Sequence, residues 1–186
     1  MFFQYSYIKI KFKNLIISFI LMTIVIPVFT TIIPIYSFFM EHSMLDSMLW
    51  TSVIFISAFI PLNIWIIMNY FRELPEDLWE AAAIEGANER QLFFQIGLPL
   101  AKPIVLTSSL VIFLMSWKQY IIPMLLLSSH NNKVLTLIMS EFMTRDAINY
   151  SVIAMSGIIV IIPPLLASII FRKNLVSGLT AGSVKE

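Results

Sequence analysis

Four mostly apolar stretches, about 15–39, 48–70, 104–127 and 151–171, limit what this chain can fold into. Each has the roughly 20 residues needed to cross a hydrocarbon core of about 30 Å. Water is missing there, so every backbone N–H and C=O must be satisfied within the structure, and a run of this length does so as an α-helix. The expected fold class is all-α: a polytopic membrane helical bundle with about four transmembrane helices, forming a single transmembrane domain over residues 1–186. Only 12% of the residues are charged, against about 25% in soluble domains. The chain reads as a membrane protein with lipid, and no nucleic acid, among its partners. It has no cysteine, which excludes thiol chemistry and disulfides. The apolar run after Lys9, Lys11 and Lys13 exceeds a signal-peptide core and precedes no small-residue cleavage site, so it is expected to stay as the first span.

The placement of basic residues orients the bundle. With a cytoplasmic N-terminus, the inside segments carry Lys9, Lys11, Lys13, Arg72, Arg90, Lys102, Arg172, Lys173 and Lys185. The outside then carries Lys133 and Arg145, and Lys118 lies within a span. The positive-inside rule favours this topology, with both termini cytoplasmic. Pro27, Pro34, Pro61, Pro123, Pro163 and Pro164 interrupt the spans, each removing a helix hydrogen bond. They admit two readings, ordinary kinks or a bundle built to flex.

Between the second and third spans, residues 71–103 include Glu73, Glu76, Asp77, Glu80, Glu85 and Glu89, out of 11 acidic residues in the chain. A carboxylate at a span's centre costs about 2.5–3.5 kcal/mol, so this passage is expected outside the bilayer, on the cytoplasmic side. Pro75 suits a first helical position, Glu76 and Asp77 the first turn, and Gly86 the helix end. Asn88 and Gln91 are spaced to cap a second short helix before Pro99 and Pro103 lead into the next span. On the first helix Leu78, Ala81, Ala82 and Glu85 recur at helical spacing, beside an acidic row of Glu73, Asp77 and Glu80. Ala81, Ala82 and Ala83 let another surface approach closely while the carboxylates meet its basic groups. The same pattern also suits a helix packed on its own bundle.

Glu80, Ala81, Ala82, Gly86, Ala87, Ile96, Leu98, Pro99 and Pro103 together resemble the EAA motif of the permease subunits of binding-protein-dependent ABC importers. Glu85 stands where that family usually has Asp. The lead-in FRELPEDLWEAA, the stretch WKQYIIP at 117–123 and the ending GLTAGSVKE are similar to the maltose-type, carbohydrate-importing branch. Lys118, Gln119 and Tyr120 depart from that branch's usual residues after the tryptophan. The resemblance covers nearly the whole chain, but members of the branch usually have six spans. The chain is similar to the C-terminal part of such a permease, lacking the first two transmembrane helices.

The resemblance implies that the EAA segment is a coupling helix inserted into a cleft of an ATPase subunit. It assigns ATPase coupling to Glu80, Ala81, Ala82, Ala83, Glu85, Gly86, Ala87, Leu98 and Pro99, and a tail interface to Gly178, Thr180 and Gly182. The implied partners are ABC ATPase subunits, which bind ATP and Mg, a second permease subunit and an extracytoplasmic solute-binding protein. The implied location is the bacterial cytoplasmic membrane. The implied function is import of a sugar or related solute by alternating access. The alternative is a short form that docks the ATPase without transporting, or an inactive remnant.

The chain itself carries no phosphate-cradling G-x-x-x-x-G-K-[ST] loop, because 97–102 lacks the second glycine and the hydroxyl residue. No catalytic residue and no metal site is expected, and His42 and His130 fall in outer loops as solvated side chains. Polar groups inside spans tend to face a cavity or the bundle interior, which makes Asn63, Ser108, Ser109, Ser116, Lys118 and Gln119 candidates for a substrate pathway. Trp117 and Tyr120 either stack on a sugar ring or form an interfacial aromatic belt. Lys118 either lines the pathway or snorkels to the surface. Outside, 133–142 has the spacing of an amphipathic helix that receives a binding protein or covers the bundle's end.

Overall fold

The computed structural model describes residues 12–75, 77–129, 132–144 and 150–180, and it is helical with no strand among them. The helices are α1 (Lys13–Met22), extended by a tight 3-10 turn at Thr23–Val25, α2 (Val28–Glu41), α3 (Met48–Glu73) and α4 (Asp77–Ile84). They continue with α5 (Glu89–Trp117), α6 (Ile121–Leu126), α7 (Leu135–Thr144) and α8 (Tyr150–Thr180). Helices α3, α5 and the Tyr150–Arg172 part of α8 are each long and apolar enough to cross a membrane. The bent pair Asn14–Val25 and Thr30–Glu41 supplies a fourth crossing if counted as one broken span.

Two of the expected spans differ from the sequence reading. The first, 15–39, is not one helix: its two parts meet at 96°. Pro27 has no N–H to give and disfavours helical geometry in the residue before it, and Ile26 is accordingly extended, with ψ of 116°. Threonine hydroxyls cover carbonyls beside the break, Thr23 Oγ1 donating to Ile20 O at 2.6 Å and Thr30 Oγ1 to Pro27 O at 2.7 Å. The expected third span, 104–127, starts and stops too late. Helix α5 runs unbroken from Glu89 to Trp117, and residues 118–120 separate it from the short α6. Pro99 and Pro103 therefore lie inside α5, just after a π turn at Leu92–Gly97. The acidic loop proper is correspondingly shorter than 71–103, because α3 continues to Glu73 and α5 begins at Glu89.

Helix α5 is the centre of the bundle, packed between α3 and α8. Its buried residues are Gly97, Ala101, Ile104, Thr107, Ser108 and Leu110, of which the four small ones, Gly97, Ala101, Thr107 and Ser108, let neighbouring backbones approach. Both hydroxyls bond to carbonyls of their own helix, Thr107 donating to Pro103 O at 3.0 Å and Ser108 to Val105 O at 3.1 Å. At the end of the bundle remote from the acidic loop, Ile32 and Phe39 of α2 close over Ile122 and Leu126 of α6, flanked by Ile54 and Phe55 of α3.

That remote end is tied by one carboxylate. Asp46 adopts a left-handed φ of 60° between α2 and α3. Its Oδ1 accepts the N–H groups of Ser128 and Ser129, both at 2.6 Å, and its Oδ2 accepts the Ser128 hydroxyl at 3.2 Å. Its own N–H donates to Leu126 O at 2.8 Å, and the Asn132 amide donates to its carbonyl. The Ser129 N–H is the largest of the donors that hold this carboxyl below its ordinary 3.8, and partial desolvation opposes them. A carboxyl lowered on folding adds stability that is complete above its unfolded value and is lost as pH falls through the folded one. Protection of the Ser128 and Ser129 amides, measured against their intrinsic exchange rates, is therefore expected to be high at neutral pH and to fall on acidification below the ordinary aspartate range. Asp46→Asn is expected to accelerate both at neutral pH, and unchanged protection in that variant contradicts the assignment.

Candidate functional site

The acidic loop folds into a capped helix standing off the end of the bundle. Asp77 and Glu80 occupy the first turn of α4, where the helix dipole favours negative charge. Glu76 lies outside the described residues, and Pro75 precedes the helix rather than opening it. At the other end Gly86 has φ of 80°. The Ala87 N–H donates to Ala82 O at 3.0 Å and the Gly86 N–H to Ala83 O at 3.1 Å. This six-to-one and five-to-two pair of bonds around a left-handed residue satisfies carbonyls that the helix end leaves open. A Cβ added to Gly86 meets nothing within 4 Å, so its conformation within this chain, and not crowding, calls for glycine. Two residues on, Asn88 and Gln91 form a reciprocal capping box at 3.0 and 2.9 Å that starts α5.

The faces of α4 differ from those read in the sequence. Trp79 and Ala82, at 8% and 7% exposure, turn toward the bundle. Leu78, Ala81 and Glu85 are exposed, so Leu78, Ala81, Ala82 and Glu85 do not act as one packed face. The reason is the large ring: burying Trp79 removes more apolar surface than burying Leu78 or alanine, so the helix rotates to hide it. The side facing away carries Asp77, Glu80, Ala81 and Ile84, spaced i, i+3, i+4 and i+7. Ile84, at 86% exposure, sits at the tip of this face beyond the span ends. Ala83 is also exposed and Ala87 half-buried, while Leu98 and Pro99 are exposed on the first turn of α5 proper. Trp79 and Ile84 were not singled out from sequence. Their signal was that, with Leu78, they are the large apolar side chains of an otherwise acidic, alanine-rich stretch.

Two contacts hold the loop to the spans. The end of the Trp79 ring lies over Gly97, where an added Cβ would be 3.8 Å from Cη2. The Tyr70 hydroxyl, near the end of α3, donates to Leu100 O of α5 at 2.9 Å. The excursion between α3 and α5 is thus closed at its base.

The residues proposed for a pathway are scattered. Asn63 is half-buried on α3, its Oδ1 enclosed and accepting no hydrogen bond from any described residue. Counting seven residues along each antiparallel helix from the Tyr70–Leu100 bond puts it level with Thr107, about 15 Å along α5 from Trp117. Trp117 Nε1 donates to Val160 O of α8 at 3.0 Å. Pro164 stands four residues after Val160 and has no N–H for that carbonyl, so the indole supplies the missing donor. Lys118 follows the C-terminus of α5 and is exposed. The Gln119 carbonyl accepts the Thr136 hydroxyl at 2.8 Å. Tyr120 is exposed and borders a cavity of about 200 Å³ with Met124, Ser128, Lys133 and Glu141, the last two forming an ion pair. Gly178 and Thr180 lie on the helical backbone of α8, and Gly182 falls outside the described residues, as does His130. His42 is held at the end of α2, its Nδ1 2.9 Å from Phe38 O and its ring stacked on Phe38. No metal-binding group of His, Cys, Asp and Glu occurs among the described residues.

The sequence profile described as binding-protein-dependent transport system inner membrane component matches residues 2–180. The chain is 31% identical over 185 residues to the maltodextrin transport system permease protein MdxG of Bacillus subtilis, covering 97% of this chain and 66% of that one. It is 26% identical over 176 residues to the melibiose/raffinose/stachyose import permease protein MelC of the same organism, covering 94% and 64%. It is 32% identical over 127 residues to the trehalose/maltose transport system permease protein MalG of Thermococcus litoralis, covering 68% and 46%. The chain spans less than two thirds of the length of these three relatives.

Two outcomes follow from this geometry. Gly86→Ala, which forces an ordinary residue to left-handed φ at roughly 1–2 kcal/mol, is expected to speed amide exchange at position 86 and at Ala87 without altering the spans. Trp117→Phe keeps the ring but strands the Val160 carbonyl, and is expected to lower unfolding free energy in detergent by about 0.5–1.5 kcal/mol. An unchanged unfolding midpoint shows that the indole bond contributes nothing.

Proposed function

The chain belongs to the family of binding-protein-dependent transport system inner membrane components, a family of multi-pass inner-membrane proteins, and from that premise we propose that it is a permease subunit of an ABC importer. The substrate class proposed is a sugar or related polyol, in keeping with the carbohydrates named in its relatives. The single observation that carries the reading is α4: a short helix, closed at Gly86 and held at its base, with Asp77, Glu80, Ala81 and Ile84 turned away from the bundle. Its exposed face combines two carboxylates, a small residue and one large apolar side chain. That chemistry suits a cleft with basic groups at the rim and an apolar floor, and an ATPase subunit is the partner that supplies it.

In this proposal both termini and α4 lie on the cytoplasmic side, following the bias of basic residues. ATP and Mg are bound by the ATPase subunits, and this chain performs no covalent step. Closure of the ATPases moves α4, and the spans respond by alternating access, accepting solute from an extracytoplasmic binding protein at the opposite end. A second permease subunit completes the pathway, with Asn63 supplying one polar group at mid-depth. The tail containing Gly178, Thr180 and Gly182 extends the ATPase contact.

The test is mass spectrometry of what co-purifies with the natively expressed chain in mild detergent. An ATPase subunit and a second permease are expected beside a chain of 21.4 kDa. Their absence despite stable expression contradicts the proposal. In the assembled complex, replacement of Gly86 by Val is expected to abolish transport-linked ATP hydrolysis, because a branched side chain is both strained at this φ and in the way of the docked partner.

A further inference from the structure

We infer that Trp79 is a positioning residue which passes displacement of α4 directly to the backbone of α5 through its contact with Gly97. The inference rests on the proposed function and specifies how the coupling helix grips the bundle. Three observations carry it. Trp79 and Ala82 are the buried residues of α4, and of the two only Trp79 is large. The ring end lies against Gly97, itself buried, where there is no side chain to yield. Gly97 closes the π turn Leu92–Gly97, and the helix then runs without interruption to Trp117.

The physics follows from what sits on each side of the contact. A tryptophan is a rigid plate with two rotatable bonds, and a flexible side chain in its place would absorb a small movement by changing rotamer. Opposite it, glycine exposes backbone, so a push from the ring acts on the helix itself. Three residues further on, Leu100 is held to α3 by the Tyr70 hydroxyl. Displacement at position 97 therefore works against a fixed point at position 100.

The size match at the contact supplies the test. A Cβ on Gly97 would lie 3.8 Å from Trp79 Cη2 and 3.4 Å from the Leu92 carbonyl oxygen, so alanine fits while leucine collides with the ring. The measurement is transport per ATP hydrolysed in proteoliposomes holding the complete importer assembled with this chain. Trp79→Ala is expected to leave assembly and hydrolysis in place and to lower that ratio about tenfold, a coupling loss of ordinary size. Trp79→Phe is expected to recover most of it. Gly97→Leu is expected to lower the ratio, and Trp79→Ala with Gly97→Leu to recover part of it as the leucine fills the vacated space. A ratio equal to that of the unsubstituted importer in the assembled Trp79→Ala complex overturns the inference alone. If the alanine variant does not assemble, an unchanged ratio in Gly97→Leu overturns it in the same way. Failure of the unsubstituted chain to bind any ATPase subunit overturns the proposed function and this inference with it.

Discussion

Inside a bilayer a backbone carbonyl that loses its N–H partner has no water to turn to, and this chain places prolines in α2, α3, α5, α6 and α8. Much of its tertiary structure can be understood as local answers to that constraint. Threonine hydroxyls cover carbonyls around the break at Pro27. The longest-range answer is the indole of Trp117, which serves Val160 where Pro164 cannot, and so joins the end of α5 to the middle of α8. Between Ile158 and Ile170 helix α8 carries a run of exposed isoleucine and leucine, as a helix facing lipid or another membrane subunit should.

The two ends of the bundle are built on different chemistry. At one end the Asp46 carboxylate gathers two backbone N–H groups and a hydroxyl, tying Ser128 and Ser129 beside the apolar cluster of α2 and α6. At the other, carboxylates are left on the surface of a small helix while its one large ring turns inward. The first arrangement is a tie within the chain. The second presents an exposed charged and apolar face at the end of the bundle, which is why the functional proposal is built there and not on the polar residues of the spans.

Much of the loop's local structure could be read from its residues. Gly86 and the Asn88–Gln91 pair act through bonds spanning three to five residues, so their spacing alone predicts the turn and the cap that the structure contains. The orientation of α4 could not be read in the same way. Helical spacing placed Leu78, Ala81, Ala82 and Glu85 together, but which stripe turns inward depends on a partner far along the chain, and Gly97 receives the ring of Trp79. The same limit applies to Trp117, whose donor role depends on a proline more than forty residues away. The bend at Pro27 and the continuity of α5 through Pro99 and Pro103 were likewise misread, as one span over 15–39 and a span starting at 104, because a membrane proline either breaks a helix or is absorbed, according to which groups satisfy the freed carbonyl.

By itself the sequence determined the apolar character of the candidate spans, the gathering of six of the 11 acidic residues in one loop, and the turn and cap within that loop. These follow from transfer free energies and short-range bonds, which composition and spacing express directly. Only the tertiary structure decided that α5 is the central helix, that α4 buries Trp79 against Gly97, and that Trp117 completes the broken ladder of α8. Each of those depends on packing between segments distant in the chain, and a linear pattern carries no record of which surfaces meet.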